Sequence, residues 1–330
     1  MRVVIAPDKF KGTLSAREAA DAMAAAVRAG RPDAEVVVVP IADGGDGTLD
    51  ALGGANRVDT VTGPLGEPVH AAWRLEGNLA VIESAAASGL VLAGGSDRND
   101  PWSATSRGVG ELVARALDAG ATRVVVGMGG SAMTDGGRGA IEALGDRVPF
   151  GPGRVVVLTD TTTAFVDAAR VFGPQKGADA ALVDRLSARL SRDAEEWAAR
   201  FGTDVRGISR TGAAGGLSGA LFAAGADLVD GAAFIADTLG LEAAITGADL
   251  VLTGEGAFDE TSLAGKGPGH VLALAAARGV PALVIAGTAA PSAVGERVFT
   301  LVGTVGEERA RREPAAAVES TVARALAHGA

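Results

Sequence analysis

The stretch "EVVVVPIADGGDGT", residues 35–48, joins an uninterrupted apolar run to a loop of glycine and aspartate. Such an apolar run is typical of a strand that is buried on both faces, as in a parallel sheet covered by helices. The loop places two carboxylates, Asp43 and Asp46, where the backbone carries little side-chain bulk. It is either an ordinary turn, with Asp46 capping a short helix, or a site where carboxylates hold a metal ion or a proton beside a ligand.

The same alternation of short β-branched runs and alanine-rich stretches continues along the chain and indicates α/β architecture. Residues 2–7, "RVVIAP", predict a strand, and residues 15–30 predict a helix. Ser15 and Glu18 have the spacing of a capping box, and Gly30 is a typical stop signal. The apolar face of this helix recurs every four residues, at Ala19, Met23 and Val27.

The order of these elements predicts two α/β domains. Residues 57–84 contain closely spaced strands that suit an antiparallel meander, whereas the runs near both termini suit one parallel sheet with helices on both faces. We therefore expect a discontinuous first domain made of residues 1–60 and 245–330. Residues 61–244 would form an inserted second domain with a mixed sheet.

Composition excludes several classes of protein. The chain has 330 residues, a net charge of −10 and no cysteine, so disulfides, thiolate metal ligands and thiol nucleophiles are excluded. The negative charge makes nucleic acid a poor partner. The N-terminus reaches charged residues too early for a secretory signal, and no apolar run is long enough to cross a membrane. We expect a soluble cytoplasmic protein.

Four predicted strands end in loops that carry chemical groups, and ligands of open α/β sheets bind at these carboxyl ends. The groups are Asp8, Lys9 and Lys11 in residues 7–13, Asp43 and Asp46 in residues 41–50, Ser131, Thr134 and Asp135 among five glycines in residues 127–137, and Glu255, Asp259 and Lys266 in residues 253–269. Lysines beside a helix N-terminus favour an anion, and the N–H groups of a glycine-rich loop suit a phosphate.

The third loop also matches a dinucleotide-binding pattern. Gly127, Gly129 and Ala132 satisfy G-x-G-x-x-A after a strand. A supporting acid is expected about 20 residues further on, at the end of the next strand, but that strand ends at Asp160. A phosphate-binding transferase is therefore favoured over a dehydrogenase. A Walker motif is absent, because Gly265 and Lys266 are followed by glycine.

Charge balance indicates what the acids could do. Two carboxylates about 4 Å apart repel by roughly 4 kcal/mol at an effective dielectric constant of 20, so converging acids need a lysine or a cation. Mg²⁺ takes one or two carboxylates together with nucleotide oxygens and water. Acids, lysines and loops rich in N–H groups fit direct phosphoryl transfer better than acyl transfer or redox chemistry.

Six motifs resemble one family. They are "IAPDKFKGTLSA", "PIADGGDGTLDAL", "GMGGSAMTDGG", "VFGPQKGAD", "GAAGGLSGAL" and "LTGEGAFDETSLAGKGP". Together, and in this order, they resemble the type I glycerate kinases, the glycerate 2-kinase family. The resemblance implies two α/β domains with the site in the cleft between them. It also implies a kinase that phosphorylates D-glycerate at its 2-hydroxyl with ATP and Mg²⁺.

The resemblance also implies roles for individual residues. Asp8, Lys9 and Lys11 would meet the carboxylate or phosphate of the substrate, and Asp43 and Asp46 would act as base or metal ligands. The residues that would bind the nucleotide are Gly129, Gly130, Ser131, Thr134, Asp135, Lys176 and Lys266, and Glu255 and Asp259 would complete the catalytic set. A small-molecule substrate and ATP are the expected partners, with a homodimer as one option for the assembly.

Three segments depart from the family pattern. The connection "GDRVPFGPG", residues 145–153, is shorter, residues 159–175 lack the usual Asn-Pro-Leu, and "DETS" at residues 259–262 replaces a Ser-Gln-Thr. These departures concern substrate identity more than reaction type. The alternatives are therefore a kinase of another small hydroxy acid on the same scaffold, or a non-catalytic protein that binds nucleotide or glycerate.

Overall fold

The computed structural model describes residues 1–263, 267–293, 295 and 297–329. Its strands are β1 (Arg2–Pro7), β2 (Glu35–Val38), β3 (Arg57–Thr62), β4 (Pro68–Glu76), β5 (Leu79–Glu83), β6 (Arg123–Gly127), β7 (Val155–Thr159), β8 (Asp227–Asp230), β9 (Leu250–Phe258), β10 (Ala282–Ala289) and β11 (Val298–Thr300).

The α-helices are α1 (Ala16–Gly30), α2 (Thr48–Ala51), α3 (Ser84–Ser88), α4 (Arg107–Asp118), α5 (Arg138–Leu144), α6 (Ala168–Phe172), α7 (Ala180–Phe201), α8 (Leu217–Ala223), α9 (Gly231–Thr238), α10 (Leu241–Ile245), α11 (Glu260–Leu263), α12 (Gly267–Ala277), α13 (Leu301–Val305), α14 (Glu307–Arg312) and α15 (Pro314–Gly329). Among the residues that the structure describes, none of these helices is long and apolar enough to cross a membrane.

Two compact units divide the chain. Unit 1 consists of Met1–Asp43, Asp50–Leu52 and Ala232–Ala330, and unit 2 consists of Gly44–Leu49 and Gly53–Gly231. The domain ranges expected from the sequence, 1–60 with 245–330 and 61–244, stay a prediction.

Unit 1 contains a five-stranded parallel sheet with the order β11-β10-β9-β1-β2. Successive residues of β1 belong to different core clusters: Val3 and Ile5 pack with α1 and α15, whereas Val4 and Ala6 pack with α10 and α12. Because side chains of a strand alternate between faces, the sheet is covered by helices on both sides, as predicted.

Helix α1 forms for the reasons that the sequence predicts. Ser15 accepts a hydrogen bond from the N–H of Glu18, and the Glu18 side chain accepts one from the N–H of Ser15, which completes the capping box. The predicted apolar face is fully buried, at Ala19, Met23 and Val27.

Unit 2 contains a six-stranded mixed sheet with the order β3-β4-β5-β6-β7-β8. Strands β3, β4 and β5 pair antiparallel, and the pairs from β5 to β8 are parallel. The meander predicted for residues 57–84 is thus confirmed, and so is the predicted fold class of a parallel sheet plus a mixed sheet.

Two glycines in helices are expected to respond to alanine with opposite signs. A Cβ on Gly108 would overlap the carbonyl oxygen of Thr62, which α4 covers, whereas a Cβ on Gly30 would meet only the tip of Leu326, at 4.0 Å. Gly108→Ala should lower the free energy of unfolding by about 1–3 kcal/mol through overpacking. Gly30→Ala should leave it unchanged or raise it by up to about 1 kcal/mol, because alanine is the better helix former. Urea unfolding of both variants tests this, and equal effects would contradict it.

Candidate functional site

In unit 1 the loop after β1 brings Lys9 between two carboxylates. The Lys9 Nζ lies 3.9 Å from an Asp8 oxygen and 3.8 Å from an Asp43 oxygen. Asp8 is only 6% exposed, and one of its oxygens also accepts a hydrogen bond of 2.6 Å from the N–H of Lys9. Two sequence-distant loops, after β1 and after β2, therefore share one ion-pair network.

Glu255 belongs to the same group. Burial raises the pKa of Asp8 to about 7; Lys9 opposes this rise, and the negative charges of Asp43 and Glu255 add to it. The charges of Asp43 and Glu255 are thus close enough to act on Asp8, and we call Asp8, Lys9, Asp43 and Glu255 the acidic cluster. The first, second and fourth predicted loops thus come together, as expected for loops at the carboxyl ends of neighbouring parallel strands.

The other predicted residues of unit 1 do not belong to the acidic cluster. The Asp259 carboxylate accepts hydrogen bonds from Thr261 and from the N–H of Ser262, which lower its pKa, the Thr261 hydroxyl most. It therefore caps α11, and its catalytic role stays a prediction. Lys11 is exposed, and its backbone N packs against Gly256, at 2.9 Å from the position of a Cβ there. Lys266 lies outside the described residues.

In unit 2 two glycine-rich stretches are in backbone contact. A Cβ on Gly129 would lie 2.7 Å from the Cα of Gly45, and one on Gly130 would lie 2.8 Å from a carboxylate oxygen of Asp46. Gly130 also has a φ of +59°, which favours glycine. Asp46 is therefore held directly over Gly130 in the loop of residues 129–136, which we call the glycine loop.

Glu83, at the end of β5, is a site residue that sequence reasoning missed. Its Oε1 accepts hydrogen bonds of 2.9 Å from the N–H of Gly47 and 2.8 Å from the N–H of Leu49. Glu83 thus takes part of the capping role at α2 that the turn interpretation gave to Asp46. The signal was available, because Glu83 is an acid at the end of a strand.

The Asp135 carboxylate is hydrogen-bonded within unit 2. It is 8% exposed, and its oxygens accept hydrogen bonds from the N–H and hydroxyl of Ser106, both at 2.8 Å, and from the N–H groups of Gly137 and Gly139. These bonds tie the glycine loop to the starts of α4 and α5. They supply a structural role for Asp135, while its contact with a nucleotide stays a prediction.

Lys176 is also buried, with 2% exposure. Its Nζ donates hydrogen bonds of 3.1 Å to the Ser131 hydroxyl and 2.6 Å to the carbonyl oxygen of Met133. Burial lowers the pKa of Lys176 to about 7, although the charge of Asp135 opposes the shift. Thr134 is fully buried. Ser131 and Lys176 are therefore in contact, and the Lys176 side chain is directed into the glycine loop.

Two further observations bear on the chemistry. The helix that follows the glycine loop, α5, begins only at Arg138, so Gly127, Gly129 and Ala132 do not open a helix as in a dinucleotide-binding unit.

Across residues 1–263, 267–293, 295 and 297–329, no three His, Asp or Glu side chains gather as a metal site. A cation would thus need ligand oxygens beyond those of the protein.

The depressed pKa of Lys176 makes a prediction for stability. Below about pH 7 both folded and unfolded chains hold this proton, so the burial cost is complete. Between about pH 7 and pH 10.5 only the unfolded chain holds it, so this group makes the protein more stable as pH rises. In Lys176→Met this pH dependence of the free energy of unfolding is absent. Relative to the wild type, the variant should therefore lose about 3 kcal/mol between about pH 6 and pH 9. Urea unfolding at both pH values measures the difference, and a pH-independent difference would contradict it.

Comparison with known proteins gives consistent matches. The profile of the Glycerate kinase family matches residues 3–154 and 152–327. The chain is 41% identical to glycerate 2-kinase of Escherichia coli (strain K12) and 40% identical to glycerate kinase of Bacillus subtilis (strain 168), in each case over 87% of this chain and 85% of the relative.

A solved structure agrees with these matches. The crystal structure of a protein of Salmonella typhimurium LT2, described under the name glycerate kinase 2, superposes with a TM-score of 0.83 at 36% identity. It covers 99% of this chain and 97% of that one. The chain belongs to the glycerate kinase family.

Proposed function

We propose that this protein transfers the γ-phosphoryl group of ATP to the 2-hydroxyl of D-glycerate and forms 2-phospho-D-glycerate. Family membership supports the reaction class, and the names of the relatives support the acceptor. The observation that carries the proposal in this chain is the acidic cluster, with Lys9 within 4.0 Å of two carboxylates. It supplies both a cation for an anionic substrate and bases for an alcohol.

The acidic cluster can perform the acceptor half of the reaction. Phosphoryl transfer depends mainly on positioning and on neutralising charge, and a base that takes the hydroxyl proton adds to the rate. Asp43 is the candidate base, and Lys9 is the candidate partner of the glycerate carboxylate. Lys11 lies in the loop after β1, Glu255 lies within β9, and Asp259 follows the end of β9.

The glycine loop can perform the donor half. Its small residues let a phosphate approach the backbone, and its N–H groups can donate to phosphate oxygens. Gly129, Gly130 and Ser131 are the candidate phosphate contacts. We keep Thr134, Asp135 and Lys266 as predicted nucleotide residues.

Mg²⁺ fits the residues around this loop. The carboxylate of Asp46 lies over Gly130, where it would repel a phosphate in the absence of a cation. Asp46 would contribute one or two oxygens to the ion, as is usual for magnesium nucleotides, and Asp43 stays a predicted metal ligand. Bound Mg²⁺ would supply neutralisation of the phosphate oxygens. A cytoplasmic location and a homodimer also stay predictions.

Product analysis tests the function. Purified protein with MgATP should release ADP in the presence of D-glycerate, faster than with L-glycerate or other small hydroxy acids. Phosphorus NMR should identify 2-phosphoglycerate, and a chelator of divalent cations should stop the reaction until Mg²⁺ is restored. Turnover of another hydroxy acid but not of D-glycerate would reject the acceptor, and nucleotide binding without turnover would reject the enzyme.

A conservative substitution tests the acidic cluster. Asp43→Asn removes the charge and the basicity while keeping the shape, and should lower kcat by about 10²–10⁴-fold without unfolding the protein. Asp33→Asn makes the same chemical change at an exposed position of unit 1 and is the matched control. Turnover and circular dichroism of both variants check this, and a wild-type rate for Asp43→Asn would remove Asp43 from the mechanism.

A further inference from the structure

Three consecutive carbonyl groups of the glycine loop are held from inside unit 2 by side chains. Asn99 Nδ2 donates to the Ala132 oxygen at 3.0 Å, Lys176 Nζ donates to the Met133 oxygen at 2.6 Å, and Arg189 Nη2 donates to the Thr134 oxygen at 2.6 Å. Two of the three donors are cations, whose hydrogen bonds are the stronger kind.

These donors come from three separate segments that brace one another. Asn99 Nδ2 also donates to the backbone oxygen of Lys176 at 2.9 Å, and Arg189 Nη1 donates to that of Trp102 at 2.7 Å. The guanidinium of Arg189 lies 4.5 Å from the Trp102 ring centroid, and that of Arg185 lies 4.4 Å from the same ring. Arg189 is thus fixed by stacking and by two hydrogen bonds.

Three neighbouring carbonyls of the loop also accept hydrogen bonds. The Gly129 oxygen accepts from the Ser84 hydroxyl, the Gly130 oxygen from the N–H of Leu90, and the Gly136 oxygen from Trp197 Nε1. In a planar trans peptide the N–H points away from its own carbonyl. Holding these oxygens therefore turns the N–H groups of the following residues to the opposite side.

The amide side of the loop is consistent with this orientation. Within the described part of the chain, the N–H groups of Gly130 and Ser131 donate to no backbone or side-chain acceptor. Gly130 is also exposed. Two consecutive N–H groups that no acceptor of the protein uses can bind an anion, and here they follow the held carbonyls of Gly129 and Gly130.

We propose that Arg189, Lys176 and Asn99 are positioning residues for the nucleotide: through the carbonyls of residues 132–134 they fix the buried half of the glycine loop, and this keeps the N–H groups of Gly130 and Ser131 in place for a phosphate. The inference rests on the proposed function, since ATP is the anionic ligand. Lys176 acts here through the Met133 carbonyl, instead of reaching the nucleotide as the sequence predicts.

The energetic consequence is specific to nucleotide binding. Without its donor, a buried carbonyl is left unsatisfied, and the loop can shift to find another partner for it. Such a shift displaces the N–H groups of Gly130 and Ser131 from the phosphate. Loss of one charged donor should therefore weaken nucleotide binding by about tenfold to a hundredfold, and should not change the affinity for glycerate.

Two arginines that stack on the same tryptophan provide a matched pair. Arg189→Ala removes the bond to the loop and the stacking, whereas Arg185→Ala removes stacking alone. Arg189→Ala should raise the KM for ATP and the Kd for MgADP, measured by calorimetry without acceptor, by about tenfold to a hundredfold. The KM for glycerate should stay unchanged, and millimolar guanidinium should restore part of the nucleotide affinity. Arg185→Ala should keep wild-type values.

Lys176→Met is the second variant, because it removes a buried charge and keeps the length of the side chain. It should raise the KM for ATP in the same way, while circular dichroism should show that the variant keeps the wild-type fold. Wild-type affinity for MgADP in both Arg189→Ala and Lys176→Met would overturn the inference, as would an equal loss in Arg185→Ala.

The calorimetric measurement separates this inference from the proposed function. If the wild type binds MgADP, the two loop variants lose that binding, and D-glycerate is not turned over, the acceptor assignment fails and the positioning role stands. If D-glycerate is turned over and the variants bind MgADP normally, the positioning role fails alone. A wild type that does not bind MgADP overturns the inference.

Discussion

A loop that binds an anion must satisfy its own carbonyl groups elsewhere, and the structure of unit 2 is organised around that constraint. Residues 132–134 have their three oxygens bonded to Asn99, Lys176 and Arg189, which lie 33, 43 and 55 residues away from them. Leaving such groups unpaired inside a protein costs about 1–3 kcal/mol each. The interior donors therefore stabilise the fold and orient the loop at the same time.

Unit 1 meets a related constraint with charges. Asp8, Asp43 and Glu255 come from three neighbouring strands, and their mutual repulsion is offset by Lys9 and by protonation of Asp8 near neutral pH. A site that already holds three acids has little tolerance for an anionic substrate without cations. This is the physical reason to expect Lys9, Lys11 and Mg²⁺ to take part in binding glycerate and ATP.

Local patterns in the sequence predict much of this fold. The capping box at Ser15 and Glu18 and the alternation of apolar strands with helices involve near neighbours, so they can be read directly from the chain. The acid-bearing strand ends were also predictable, because parallel strands deliver their carboxyl ends to one edge of a sheet. Glu83 meets the same criterion and could have been found by applying it to β5.

The loop donors could not be predicted in this way. Arg189 lies in the long helix α7, whose sequence shows only an amphipathic pattern, and its partner is 55 residues away. The sequence predicts that Lys176 reaches the nucleotide, whereas its side chain is 2% exposed and bonded to a carbonyl. Spacing and composition carry no information on such pairings, because these depend on how α7 and the turn at Lys176 pack beneath the glycine loop.

We propose that the nucleotide phosphates bind at the amide face of the glycine loop, which interior donors hold in place. A crystal structure with Mg²⁺, a non-hydrolysable ATP analogue and D-glycerate would locate them. We expect phosphate oxygens within hydrogen-bond distance of the N–H groups of Gly130 and Ser131, with Lys176 still bonded to the Met133 carbonyl. Phosphates bound away from this loop, or a Lys176 side chain that leaves Met133 to contact them, would contradict it.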